Sequence, residues 1–233
     1  MPVPISLSII VPVWREAAGI ESALKALKPL RDAGHEVIVV DAGSDDGTAT
    51  LARPLCDRVV QSGKGRAVQM NAGAELARGR LLLFLHADTR LPEDALRQLE
   101  GFMASGCAWG RFDVRLSGRR TLYRVIAWFM NWRSRLTGIC TGDQALFVRR
   151  DAFEALGGFQ PLPLMEDVEL SRRLGLVSRP HCVRSPVITD SRRWETLGPW
   201  RTIFLMWRLR WRYWRGESPE SLAKAYRSDV RNA

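Results

Sequence analysis

"EVIVVDAGSDDGTATLA", residues 36–52, holds the change of pattern that decides the fold. Val37 to Val40 run without a polar interruption, which marks a strand covered on both faces. Asp41 ends the run, a Gly/Ser/Asp loop follows, and helical spacing begins near Thr48. Toward the N-terminus, "ISLSIIVPV" (5–13) is a second apolar strand, read as closed by Pro12. "AAGIESALKALKPL" (17–30) then has the spacing of a helix and ends before the turn "RDAGHE" (31–36). Toward the C-terminus come a short strand, "DRVVQS" (57–62), and a helix opened by glycines and closed by Gly79, "GKGRAVQMNAGAELARG" (63–79). "RLLLFLHAD" (80–88) is the next strand and "LPEDALRQLEGFMA" (91–104) the next helix.

Apolar strands alternating with helices of about 10–15 residues predict βαβ units, a parallel sheet and an α/β fold. Such sheets bind ligands beyond the carboxyl ends of their strands. Three polar clusters fall at those ends: Arg15-Glu16, Asp41 to Asp46, and His86 to Asp88. They are expected to converge.

The second half is less regular. "CAWGRFDVRLS" (107–117) and "HCVRSPVI" (181–188) read as strands, and "GDQALFVRRDAFEALGGF" (142–159) as a strand with a short helix. "RTLYRVIAWFMNWRSRL" (120–136) and "MEDVELSRRLGL" (165–176) read as helices, the second with its acids at the start, where the helix dipole favours them. No linker interrupts the chain. We expect one domain, 1–195, in two halves (1–105 and 106–195), then a helical tail, 196–233.

Bulk composition narrows the class. A chain of 233 residues with 46% apolar and 26% charged residues fits a globular protein with a substantial core. The formal net charge of +10 points to an anionic partner: nucleic acid, a membrane surface or a phosphorylated substrate. Four scattered cysteines form no CxxC pair, which argues against zinc and for reduced thiols. "MPVPISLSIIVPVW" lacks the marks of a signal peptide, and no apolar run reaches the ~18 residues of a membrane span. A cytoplasmic protein is expected, with attachment to the inner face of the membrane left open.

Each chemical motif has a plain alternative. Asp41 could accept hydrogen bonds from a base or ribose, or the loop at Asp46 and Thr48 could only cap a helix. Lys64 and Arg66, flanked by glycines before a helix, suit an anion site or a solvated basic turn. Asp88 is a hard oxygen donor of the kind that holds Mg²⁺ or Mn²⁺ with a nucleotide diphosphate, and His86 is a second ligand or a structural residue. Glu166, Asp167 and Glu169 could take a proton from an attacking hydroxyl, or simply cap their helix.

Taken in order, "SIIVPVWRE", "VVDAGSDDGT", "GKGRAVQMNAG", "FLHAD", "GDQALFVRR" and "MEDVELSRRL" resemble the motifs of family 2 glycosyltransferases with the GT-A fold, from about residue 7 to 194. The chain is most similar to a bacterial branch of small stand-alone transferases often encoded near radical-SAM proteins, which share "HAD", "GDQ" and "RRWE". The resemblance implies that Pro12, Glu16 and Ala87 line the nucleotide pocket and that Asp41 reads the base. It puts Lys64 and Arg66 near the phosphates, with Asn71 supporting their loop. Asp88 would be the last acid of the DxD element, binding Mn²⁺ or Mg²⁺ with His86. Asp167, beside Glu166, would be the general base of an inverting reaction. Asp143, Gln144, Arg192, Arg193 and Trp194 would contact the acceptor or the diphosphate. The sequence departs from the family pattern at Ala42, where a second acid is common, at His86, in place of the first acid of DxD, and at Asp190, in place of Gln in QxxRW.

In "GPWRTIFLMWRLRWRYWRGE" (198–217), Trp200, Phe204, Trp207, Trp211 and Trp214 share one face, and Arg201, Arg208, Arg212 and Arg215 form the next stripe. Such a helix can lie on an anionic membrane or pack on the domain or a twin subunit, and Tyr123 to Arg135 has the same character. The reading is therefore a glycosyltransferase using a nucleoside-diphosphate sugar, UDP- or GDP-linked, with a lipid phosphate or small metabolite as acceptor. The alternatives are a nucleotidyltransferase and a non-catalytic basic protein of the membrane surface. Nucleic acid is not expected as a partner, because the aromatic stripe is helical and does not lie on a sheet.

Overall fold

The computed structural model describes residues 6–231, except the side chains of residues 193, 230 and 231. Eight strands form one sheet: β1 (Leu7–Val13), β2 (Glu36–Asp41), β3 (Arg58–Gln61), β4 (Leu81–Phe84), β5 (Thr89–Arg90), β6 (Trp109–Leu116), β7 (Phe147–Arg149) and β8 (His181–Thr189). Their order across the sheet is β3-β2-β1-β4-β7-β6-β8-β5. The first four are parallel, in register Ile9 to Val37, Ile9 to Leu83 and Val39 to Val59.

Side chains alternate between two apolar layers, which is why these strands read as continuous apolar runs. Ile9, Val11, Val37, Val39, Leu81 and Leu83 face one layer. Helix α1 (Ala17–Asp32) covers it with Ile20, Leu24 and Leu27, and α4 (Ala95–Ala104) with Leu99 and Phe102. Ile10, Ile38, Val40, Leu82 and Phe84 face the other. There α3 (Arg66–Leu76) adds Met70, α6 (Arg150–Ala155) adds Phe153 and α7 (Glu166–Val177) adds Leu170 and Leu174. Truncating a side chain in either layer, Leu83→Ala for instance, removes about 2–5 kcal/mol. Gly73 lets α3 lie close on the sheet, since a Cβ there would come 2.5 Å from Ile10.

The second half adds antiparallel pairings to a sheet that stays mainly parallel. β7 is antiparallel to both β4 and β6, β8 runs parallel to β6, and β5 pairs antiparallel with β8. The sheet is mixed. Pro12 does not close its strand: it lies within β1, opposite Val40.

α2 (Thr48–Ala52) packs beside α1, α5 is Thr121–Thr137, and α8 (Arg192–Leu197), α9 (Pro199–Trp214) and α10 (Pro219–Arg231) finish the chain. The tail helices pack on the domain. Leu205, Leu209 and Leu222 form an apolar cluster with Met165, which immediately precedes α7. Ile203 and Trp194 join Tyr123 and Ile126 of α5 in another. No helix among the described residues is long and apolar enough to cross a membrane.

Candidate functional site

The ends of β1, β2 and β4 converge, and hydrogen bonds between their loops hold them there. Past β1, the N–H groups of Arg15, Glu16 and Ala17 donate to Ser44 Oγ (2.9 Å), Thr48 Oγ1 (2.9 Å) and Asp46 Oδ2 (3.0 Å) of the loop past β2. Asp46 and Thr48 thus cap α1 rather than only their own helix. Gln69 of α3, buried, donates from Nε2 to the carbonyls of Val13 and Val40 at 2.8 Å each, bridging β1 and β2 at the crevice floor. Sequence reading missed Gln69.

Around this floor stand charged groups from four elements. Glu16 is pushed above the ordinary carboxylate range by burial and by Asp88, while Arg192, at the start of α8, and Arg66, at the start of α3, pull the other way. Asp88 is exposed, and its backbone carbonyl accepts from Asp190 N–H at 3.1 Å. Among the described residues no three His, Cys, Asp or Glu side chains form a metal cluster. Asp88 with Glu16 nearby therefore suits a divalent ion that brings its remaining ligands with a diphosphate.

The acid pair lies at the start of α7. Met165 holds the helix N-cap in the left-handed region (φ 71°) and so delivers Glu166 and Asp167 together. Gly142 N–H donates to Asp167 Oδ2 at 2.8 Å and Val168 N–H to Oδ1 at 2.7 Å. Glu166 is buried, Asp167 only half-buried. Burial and the Asp167 charge push the Glu166 carboxyl up to about 7, against the pull of Arg66. Burial also raises Asp167, although the two N–H groups, Arg210 and Arg66 favour its charge. Arg66 lines an open cleft and keeps solvent contact; crowding by the walls opposes its charge, but Glu166, Asp143, Tyr226 and Asp167 together raise its pKa.

Arg15 (φ 55°), Ala145 (φ 46°) and Met165 (φ 71°) are the non-glycine residues with left-handed backbone among those described, and each adjoins a site element. Such conformations cost about 1–3 kcal/mol each and concentrate where geometry serves function.

Several expected contacts take other forms. Asp41 is buried and turned onto its own loop, accepting from the N–H groups of Gly43 (3.1 Å) and Ser44 (2.9 Å) and from the Ser44 hydroxyl. Asn71 donates to the Phe159 carbonyl (2.8 Å) and accepts from Phe159 N–H (2.9 Å), latching α3 to the loop after α6 instead of holding the Lys64–Arg66 turn. Gln144 is fully buried and caps the 142–144 turn through Thr141, so it is a framework residue and not an acceptor contact. The His86 ring is buried, its Nδ1 3.9 Å from Asp143, and a Cβ on Gly142 would come 2.3 Å from it. That is a packing position, and Gly142 is glycine to allow it. Trp194 is half-buried and packs against the cluster of Leu116, Tyr123 and Ile126. Ala87 is half-buried against the first core layer. Lys64 is exposed, its Nζ 5.2 Å from the Trp14 ring centroid. Asp143 borders the site, and the Arg193 side chain lies outside the described residues.

Three further groups at the site went unforeseen. Trp14, half exposed at the end of β1, lies between Arg15 and Lys64. Arg133 of α5 and Arg210 of α9 both act electrostatically on Asp167. Arg210 departs from the exposed arginine stripe and neighbours buried Leu209, a signal that was there to be read. The stripe itself is largely engaged: Arg201 and Arg208 bond Asp229, and Arg212 bonds Glu217.

A family model described as "Glycosyl transferase family 2" matches residues 8–157. The succinoglycan biosynthesis protein ExoA of Rhizobium meliloti is 30% identical over 189 residues, covering 72% of this chain and 57% of its own. An undecaprenyl-phosphate 4-deoxy-4-formamido-L-arabinose transferase of Pseudomonas paraeruginosa is 30% identical over 168 residues, covering 64% and 48%. The chain thus spans about half the length of these relatives. Among solved structures, a mannosyltransferase of Pyrobaculum calidifontis in complex with GDP-Man and Mn²⁺ superposes with a TM-score of 0.62 at 22% identity, covering 81% of this chain and 57% of its own. Glucosyl-3-phosphoglycerate synthase of Mycobacterium tuberculosis, with Mn²⁺, UDP and glucosyl-3-phosphoglycerate, gives 0.59 at 22% identity, covering 78% and 70%. These likenesses identify the GT-A fold.

Proposed function

Since the chain belongs to glycosyl transferase family 2, we propose that it is an inverting glycosyltransferase that moves a sugar from a UDP- or GDP-linked donor to a hydroxyl acceptor. The observation that carries this reading is the half-buried Asp167 carboxylate beside buried Glu166, with Arg66 and the strand ends nearby. The nucleotide would lie over Trp14, Pro12 and the capped loop that Asp41 organises. Its diphosphate would meet Arg66 and Arg192, with Lys64 at the rim. A divalent cation held by Asp88 would neutralise charge on the leaving diphosphate when bound.

Asp167 would take the acceptor proton as the acceptor oxygen attacks the anomeric carbon from the face opposite the leaving group, which inverts the configuration. Gly142 N–H and Val168 N–H fix the carboxylate, leaving each oxygen a further lone pair for the acceptor. A pKa raised by burial makes a stronger base than an ordinary carboxylate. The exposed aromatic faces of α5 and α9 support attachment to an anionic membrane from its inner side, and the Pseudomonas relative's name makes a lipid phosphate a reasonable acceptor.

The test is calorimetric titration with UDP and GDP, with and without Mn²⁺, on the parent and on Asp88→Asn, together with NMR of the anomeric configuration after turnover. Tight binding that weakens without metal and in the variant is expected, as is an inverted product. Binding of neither nucleotide, or a retained configuration, overturns the reading.

A further inference from the structure

Two arginines remain beyond the nucleotide crevice. The Arg133 Nε and one terminal nitrogen are buried and have no hydrogen-bond partner among the described residues. Arg210 comes from α9, across the apolar contact that joins Ile203 to Ile126 and Met130 of α5. Each guanidinium lies within electrostatic reach of Asp167; Arg133 also faces Arg210 and Arg111, and Arg210 faces Asp143. Burial and like charge push Arg133 down to about 10, and burial also lowers Arg210. Crowded cations with open donors are costly unless an anion completes the site. Asp167 and Asp143 supply part of the balance, but their oxygens form no hydrogen bond with the Arg133 nitrogens left open.

The crevice also separates two sets of charge. Glu16 feels Asp88, Arg192, Asp46 and Arg66, whereas Asp167 feels Arg210 and Arg66. Arg66 faces both sets. The donor's diphosphate belongs with the first, so an anion at Arg133 and Arg210 would belong to the other substrate. Planar guanidinium forks match the tetrahedral oxygens of a phosphoryl group. Resting on the transferase reading above, we propose that Arg133 and Arg210 form an acceptor subsite that holds a phosphoryl group next to Asp167. The same two helices carry the exposed aromatic rows, and the phosphoryl group could belong to a lipid headgroup or to a soluble phosphate monoester.

The experiment measures phosphate binding to the full chain by thermal shift and calorimetry, with UDP or GDP at saturation. Probes are inorganic phosphate, glycerol 3-phosphate, and phosphatidylcholine vesicles with and without a polyprenyl monophosphate. Phosphate is expected to bind alongside the nucleotide, and Arg133→Gln and Arg210→Gln to weaken it about 10- to 100-fold. Arg133→Lys, which keeps the charge, restores part of the loss, and Asp88→Asn leaves phosphate affinity unchanged. Nucleotide affinity stays within a few-fold in both arginine variants, which also shows that they fold. Preference for the lipid-bearing vesicles over glycerol 3-phosphate assigns a lipid source, and the reverse a soluble one. Phosphate that only competes with nucleotide, or binds both arginine variants as well as the parent, overturns the subsite while leaving the transferase intact. Failure of the nucleotide to bind overturns the transferase reading instead.

Discussion

On the function proposed above, two demands meet at Asp167: the carboxylate must be ionised to accept a proton, yet burial raises its pKa. Activity therefore falls as pH drops through a value above the ordinary carboxylate range of about 4. Asp167→Asn should lower kcat about 10²- to 10⁴-fold with nucleotide affinity unchanged, read by steady-state kinetics and titration. Glu166 makes an opposite prediction for stability. Its folded carboxyl titrates near 7 against 4.5 for an ordinary one. Protonation thus favours the folded state, and stability is lost as pH rises through that window. Glu166→Gln should exceed the parent by the order of 1–3 kcal/mol above pH 7 and match it near pH 4, as measured by urea unfolding. The legibility of single residues followed from their position. Asp88, Arg66 and Asp167 stand at strand or helix ends, where ligands are expected. Arg133 and Arg210 lie in mid-helix, and only tertiary packing turns them toward Asp167.

Elements meet at the site through small latches. Gly142→Ala would drive a methyl into the His86 ring and should cost about 1–3 kcal/mol, with activity falling because Gly142 N–H also holds Asp167. Asn71→Ala should cost a comparable amount by freeing Phe159 N–H and C=O, measured as a lower urea midpoint. The parallel half of the sheet could be read directly, since burial on both faces leaves long apolar runs. β5, with two residues, is too short to carry a pattern, whereas β7 was read as a strand but without its direction. Strand direction in the second half depends on pairing partners distant in the chain, which no local spacing records. α8 escaped because Arg192–Leu197 is short and polar.

Two helices of the molecule expose aromatic rows to solvent. Trp128, Phe129, Trp132 and Leu136 on α5, and Trp200, Phe204, Trp207, Trp211 and Trp214 on α9, are each at least half exposed. On a net charge of +10 these rows should bind anionic vesicles more than neutral ones, and less so in high salt. Replacing Trp207 and Trp211 together by Ser should reduce co-sedimentation roughly tenfold or more without changing soluble nucleotide affinity. The tail's amphipathic character was plain from sequence. Which arginines stay open was not, because Asp229 and Glu217 engage three of them only once α9 and α10 pack.

The two-sidedness of α9 makes its numbering a mechanical setting. Trp207 and Trp211 point outward while Leu209 is buried and Arg210 reaches Asp167. Adding or deleting one residue between Pro199 and Leu205 would rotate everything downstream by roughly 100°. The tryptophans would swing off the surface and the arginine out of the crevice in the same step. A substitution on the outer face changes one contact; a change of the helix's length changes all of them together.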